Sequence, residues 1–281
     1  MERVAAVILN YNTPQDTVNC ARLLMQQKGI DLKIIVVDNA SNDNSIEKIK
    51  KELSQGITLI ENKMNKGYSA GNNQGLKKAI EEGCKYALVA NPDVEIKDEN
   101  AVEKAVQVFK DDGSIAMLGP DVTDMDGVHR NPQREFYFLE DVFWPISQLL
   151  SRLNKKDRYV TDYKKSDYCH KVTGCCFVAD LEKMKEIDFF DENVFMYSEE
   201  PIISARIYAA GYKVYYCKDI KAKHNHIVSE KPDAKFRLAH YLNSREYYFE
   251  NYKYKNKKIK KWIALKAIHL EQKYYSRSKE K

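Results

Sequence analysis

A rhythm in the first 119 residues limits what this chain can fold into more than any other feature. Five short apolar runs, at residues 4–9, 32–37, 57–60, 86–90 and 115–119, alternate with stretches of helical spacing at 16–27, 45–53, 70–82 and 101–110. Apolar runs without polar alternation suit strands covered on both faces, the condition of a parallel sheet. Gly29, Gly56 and Gly83 follow the first three helical stretches as stop signals. Strand–helix–strand repetition predicts an open α/β sheet with right-handed crossovers, flanking helices and a ligand site at the carboxyl ends of the strands.

After Gly119-Pro120 the rhythm breaks. Residues 121–130 predict a hairpin about Asp126-Gly127. Residues 136–153 are aromatic and apolar, a helix or a mobile segment. A strand is expected over 171–179, a short helix from 180, a helix over 200–210 ended by Gly211, and a strand over 212–217. Two long helical patterns, 234–252 and 257–275, close the chain. The expected organisation is two halves of one domain, 1–119 and 120–217, followed by a helical extension, 218–281.

Three strand tips carry the polar residues: Asn10-Tyr11-Asn12, the run from Asp38 to Asp43, and Asn91-Pro92-Asp93. One such loop would only be a turn. Three on one edge of a parallel sheet converge on a polar site. The chain has neither G-x-x-x-x-G-K-[ST] nor a G-x-G-x-x-G after its first strand, which counts against P-loop NTPases and dehydrogenases. Carboxylates at strand tips can instead hold a hard divalent cation, and the cation a diphosphate.

The six cysteines include no C-x-x-C pair and read as reduced thiols. The N-terminal apolar stretch is too short for a signal peptide, and no run nears the ~20 residues of a membrane span. The expected location is therefore the cytoplasm, with peripheral attachment to the inner face of the cell membrane as an option. The net charge is +5, but residues 253–281 carry 11 Lys/Arg against two Glu. That basic, aromatic tail suits an anionic membrane surface, with a stripe expected at Ile259, Trp262, Ile263, Lys266 and Leu270. The alternative is that it packs on protein, including a second copy in a homodimer. No nucleic-acid readout motif accompanies it.

Taken together, Asn10-Tyr11-Asn12, Val37-Asp38-Asn39-Ala40-Ser41-x-Asp43, Asn65-Lys66-Gly67-Tyr68-Ser69-Ala70-Gly71-Asn72-Asn73-x-Gly75 and Asn91-Pro92-Asp93 resemble the family-2 glycosyltransferases of GT-A fold. Within them the chain is most similar to the bacterial rhamnosyltransferase-like branch, from Val4 to about Tyr252.

The resemblance implies an inverting transferase that takes a sugar from a nucleotide-sugar donor, dTDP-rhamnose by branch or a UDP-hexose as runner-up. The acceptor would be a polysaccharide or lipid-linked saccharide, as in capsule or O-antigen. By the same resemblance Asp38 meets the pyrimidine base, while Asn10, Asn12, Asn65, Gly67, Asn73 and Asn91 belong to the nucleotide-sugar site. Asp93, the last residue of a D-x-D motif that begins here with Asn91, binds Mg²⁺ or Mn²⁺ together with His224. Thr173, Gly174 and Cys175 line the acceptor, and Arg237 and Arg245 neutralise the diphosphate. The catalytic base is Glu200, with Glu199 as the alternative. Ile202 stands where the family often has an acid and is expected to alter acceptor contacts. A catalytically weak scaffold subunit is the rival reading, favoured by the incomplete acidic motifs.

Overall fold

Strand β1 (Arg3–Asn10) is buried along nearly all its length, and its side chains alternate between two cores. Val4, Ala6 and Ile8 face one core, Ala5 and Val7 the other. A strand apolar on both faces must be covered on both, which is why the first half reads as unbroken apolar runs. The computed structural model describes residues 1–53, 56–145, 160–225 and 234–277.

Around β1 stand β2 (Asp31–Asp38), β3 (Ile57–Glu61) and β4 (Tyr86–Ala90), in the order β3-β2-β1-β4, all parallel. The sheet continues through β8 (Cys176–Asp180), β6 (Ile115–Thr123), β9 (Lys213–His224) and β5 (Val94–Glu95), with β7 (Asp167–Tyr168) beside β9. Strand β8 is antiparallel to both β4 and β6, so β6 and β9 run the same way as β4. The carboxyl ends of β1, β2, β4 and β9 and the start of β8 therefore share one edge. Helices α1 (Pro14–Leu24), α2 (Ser45–Glu52) and α4 (Ala101–Asp111) cover one face. The other is covered by α3 (Tyr68–Glu81), α6 (Leu181–Glu186) and α7 (Glu199–Ala209), with the short α5 (Phe138–Val142) set apart. The expected α/β architecture of mostly parallel strands stands.

Several expected boundaries move. The strand over 171–179 begins only at Cys176, because Asn131 Oδ1 accepts the Thr173 amide at 2.8 Å and holds 171–175 as a loop. Strand β6 runs through Gly119-Pro120, where a break was expected. Its pairing with β8 covers only Met117 and Leu118, so the proline stands where that flank is already open. Strand β9 extends past 217 to His224, which is therefore a strand residue and not part of a following loop. A register shift between Pro120 and Asp121, opposite Cys217 and Lys221, inserts residues that break the alternation. The hairpin at 121–130 survives as the end of β6 with a bridge from Thr123 to His129. Of the 136–153 stretch, α5 is helical and 146–159 lies outside the described residues.

The C-terminal extension comprises α8 (Ala234–Tyr248), a π-helical segment (Phe249–Lys253) and α9 (Lys258–Arg277). It builds a third core in which Leu242, Phe249, Ala264 and Ile268 pack on Val194 and Ile202. Ile202 thus serves helix docking.

Candidate active site

The first two strand tips are joined through Ser41. Asp38 is fully buried. Its Oδ1 accepts from Asn10 Nδ2 at 2.7 Å and Ser41 Oγ at 2.6 Å, and its Oδ2 from the Ser41 amide at 3.0 Å. A carboxylate has about four lone-pair positions, so three of them organise the loop. Asn10 is also buried, with Oδ1 taking the Thr17 hydroxyl at 2.8 Å. Asn12 lies in the left-handed region, φ 57°, donates its amide to Ser41 Oγ and accepts the Asn42 amide at 3.0 Å.

Asn39 extends this network to the next tip, donating to Asn65 Oδ1 at 2.9 Å and to the Gly67 carbonyl at 3.1 Å. Asn65 Oδ1 also takes the Gly67 amide at 2.9 Å. Gly67 has φ 94°, and a Cβ there would lie 2.0 Å from the Phe195 carbonyl oxygen. That oxygen accepts the Tyr68 amide at 2.9 Å. Only glycine can combine this backbone angle with this approach.

The third tip meets β9. Pairing of Val94 with His224 sets the register, and His224 Nε2 lies 3.1 Å from Asp93 Oδ2. The Asn225 amide donates to the Asp93 carbonyl at 2.8 Å, and the Asn91 amide to the Cys175 carbonyl at 2.8 Å. Burial works to lower the His224 pKa, but hydrogen bonds to Asp93 and Cys175, with their charges, raise it to about 10. Asn91, Asp93, Cys175 and His224 form one cluster drawn from three separate stretches of chain.

Glu199 and Glu200 open α7, where the helix dipole favours negative charge. Two consecutive left-handed residues, Tyr197 (φ 69°) and Ser198 (φ 62°), turn the chain into the helix. Strained backbone of this kind persists only where its surroundings hold it. Here the C-terminal extension holds it. Tyr247 and Tyr252 donate hydroxyls to Asp191 Oδ2 at 2.9 and 2.5 Å, Arg206 reaches the same oxygen at 3.1 Å, and Ser244 Oγ donates to the Met196 carbonyl at 2.7 Å. Burial raises the Asp191 pKa, yet hydrogen bonds from Tyr252, Asn193 and Tyr247 bring it down to about 2.

Glu200 Oε1 accepts the Gly174 amide at 3.1 Å, while the buried Tyr68 hydroxyl donates to the Gly174 carbonyl at 2.5 Å. Burial, reinforced by the neighbouring Glu200 charge, pushes the Glu199 pKa up to about 8. Both causes favour the protonated form of Glu199. An acid whose folded pKa is raised stabilises the fold least at high pH. The fold should lose stability as pH rises from about 4.5 to about 8, because the unfolded chain ionises first. Glu199→Gln should remove that slope: its melting temperature gains on the wild type up to about pH 8 and runs parallel beyond. Parallel curves across the whole range would refute the assignment.

Two expected site residues lie elsewhere. Asn73 is buried, with Nδ2 on the Phe190 carbonyl at 2.9 Å and Glu192 Oε1 at 2.8 Å, and Oδ1 on the Phe190 amide. It pins the 190s loop to α3, and both of its amide hydrogens are engaged there. Arg245 is buried among Trp144, Tyr241 and Phe249, bonds the Asp141 carbonyl and pairs with Glu271 at 3.3 Å. It ties α8 to α5 and α9. Arg237, near the start of α8, is half-buried, and its charge acts on Tyr197 beside the Glu pair. Asn39, Ser41 and Tyr68 stand in the motifs that carry the resemblance, but neither they nor Asp191 were given a role of their own from sequence.

A parallel-stranded sheet with this order and one polar edge is the GT-A architecture. A structure of GalNAc-T7 with UDP, GalNAc and Mn²⁺ superimposes with a TM-score of 0.63 at 16% identity over 90% of this chain, which spans about half (49%) of that one. The profile of glycosyl transferase family 2 matches residues 5–186, and the chain belongs to that family. It is a nucleotide-sugar-dependent glycosyltransferase. A low-salt glycan biosynthesis hexosyltransferase, Agl10 of Haloferax volcanii, is 26% identical over 82% of this chain and 69% of its own length. The O-antigen chain rhamnosyltransferase RfbN of Salmonella typhimurium is 21% identical over 80% of this chain and 67% of its own.

Proposed function

We propose that the protein is an inverting glycosyltransferase that moves rhamnose from dTDP-rhamnose, or failing that a hexose from a UDP-sugar, onto a hydroxyl of a lipid-linked saccharide. The observation that carries the reading is Glu200, held by the Gly174 amide at the opening of α7, on the same polar edge as Asp93 and His224. Similarity to a rhamnosyltransferase and a hexosyltransferase of glycan assembly supports the donor and acceptor classes. Glu200 takes the acceptor hydroxyl's proton as that oxygen attacks the anomeric carbon, and a single displacement inverts the centre. The loop of Thr173, Gly174 and Cys175 aligns the acceptor, which is worth as much as the proton transfer. Asp38 shapes the pyrimidine-base pocket by holding Asn10 and Ser41 in place, with Asn12, Asn65 and Gly67 forming the wall around it. Arg237 faces the leaving diphosphate.

A divalent cation fits the third tip. Asp93 Oδ2 and His224 Nε2, 3.1 Å apart, would hold it once His224 gives up its proton, because a ligating imidazole must be neutral. Among the described residues no cluster of three or more His, Cys, Asp or Glu could hold an ion, so donor phosphates would have to supply further oxygens. Bound Mg²⁺ or Mn²⁺ supplies Lewis-acid stabilisation of the departing nucleoside diphosphate. Asn91 contributes a neutral oxygen beside it.

The reading is tested by thermal shift with dTDP-rhamnose, UDP-glucose and GDP-mannose, each with Mn²⁺. A cognate donor at a hundredfold excess over Kd stabilises by about 2.7 kcal/mol, and release of nucleoside diphosphate in the presence of acceptor completes the test. No stabilisation by any donor would overturn it. Calorimetry separates the two aspartates. Asp38→Ala should weaken the free nucleoside diphosphate with or without chelator, whereas Asp93→Ala should remove only the metal-dependent part. Equal losses in chelator would contradict these roles.

A further inference from the structure

Helix α9 has two apolar faces. Ala264 and Ile268, fully buried, press into the third core. On the opposite side Ile259 (77% exposed), Trp262 (58%), Leu270 (68%) and Tyr274 (70%) stand in water. At about 100° per residue, Ile259 and Leu270 fall within about 20° of one another, with Trp262 and Tyr274 about 60° to either side. Ile263, expected in this stripe, is half-buried, and Tyr274 takes its place. Exposed aromatic and aliphatic side chains aligned on one helix face mark an interaction surface. The adjoining α5, whose Phe138 ring lies 5.5 Å from the Lys260 ammonium, adds exposed Leu139 and Phe143.

The charge around the stripe says what covers it. Residues 251–270 contain seven lysines and no acid. Lys257, Lys258, Lys260 and Lys266 are exposed, and the Lys266 ammonium lies 4.0 Å from the centre of the Trp262 ring. In a two-fold pairing the same patch faces itself, which would set lysine against lysine. An anionic surface meets no such repulsion. Among the described residues no helix is long and apolar enough to cross a membrane.

We infer that this face of α9 seats the protein on an anionic lipid bilayer, the helix axis lying in the interface. Trp262, Leu270 and Ile259 enter the boundary between headgroups and acyl chains, and the lysines reach lipid phosphates along their own stems. The surface is independent of the donor site, so vesicle binding without donor tests it apart from the transferase reading.

The experiment is co-sedimentation of the full chain with phosphatidylcholine vesicles, with and without phosphatidylglycerol. The wild type should pellet with the anionic vesicles at low salt, and at least about tenfold less with neutral vesicles or at high salt. Trp262→Glu with Leu270→Glu should cut partitioning about tenfold or more. Each lysine near an anionic surface is worth about fivefold, so Lys257→Glu, Lys258→Glu and Lys260→Glu together should cut it about a hundredfold or more. All five sites are exposed, so both variants should melt like the wild type. A wild type that stays in solution with anionic vesicles would overturn the inference, as would variants that pellet unchanged. So would a dimer in sedimentation velocity that Trp262→Glu dissolves while lipid binding persists, because a second copy would then cover the face.

Discussion

Glu200→Gln leaves the protein folded and able to bind donor, and lowers transfer by about 10²- to 10⁴-fold, the usual worth of a positioned base. The amide keeps an oxygen to accept the Gly174 amide, a bond of 3.1 Å in the wild type, so the loop around the acceptor should not move. Only the capacity to take a proton is lost. Single-turnover rates with saturating donor, set beside donor Kd from calorimetry, separate this from a binding defect. Turnover like that of the wild type would remove Glu200 from the role. Loss confined to Glu199→Gln would move the base by one residue, but the structure weighs against that. Burial favours the protonated form of Glu199, which is the weaker acceptor of a proton.

Gly67→Ala costs about 2–5 kcal/mol, the sum of about 1–2 for a side chain at this positive φ and about 1–3 for overpacking. The new methyl would meet the Phe195 carbonyl, 2.0 Å from the position of Cβ. That carbonyl belongs to the loop running from Asp191 to the Glu pair, so relief of the clash shifts the base as well as the donor wall. Chemical denaturation should therefore show a lowered midpoint with unchanged slope, and residual folded protein should bind nucleoside diphosphate poorly. Gly56→Ala is the control, at φ 91° with nothing within 4 Å, and should show the backbone strain alone. Equal midpoints for the two variants would refute the steric part.

The sequence alone determined the sheet's first half and the edge that carries chemistry. Doubly covered strands must be apolar at every position, so β1, β2 and β4 appear as local runs that need no partner to be recognised. Their polar ends at Asn10, Asp38 and Asn91 follow from the same pattern, and parallel connectivity places them on one edge. The pairing of Asp93 with His224 was legible too, but only through resemblance to a family, since 131 positions separate them.

Tertiary structure decided the rest, because the meaning of a buried polar side chain lies in a partner far along the chain. Asn73 bonds a carbonyl 117 residues away and Arg245 one 104 residues away, and each looks like a ligand-binding residue until that partner is known. Ile202, an oddity in sequence, became the residue on which the C-terminal helices pack. The bulge that carries β9 to His224 erased the alternation that would have marked the strand. In α9 an apolar periodicity was visible, but a helix with two apolar faces cannot declare from sequence which is spent on the core. Packing against Leu242 and Phe249 took Ala264 and Ile268, and so left Trp262 and Leu270 to the solvent.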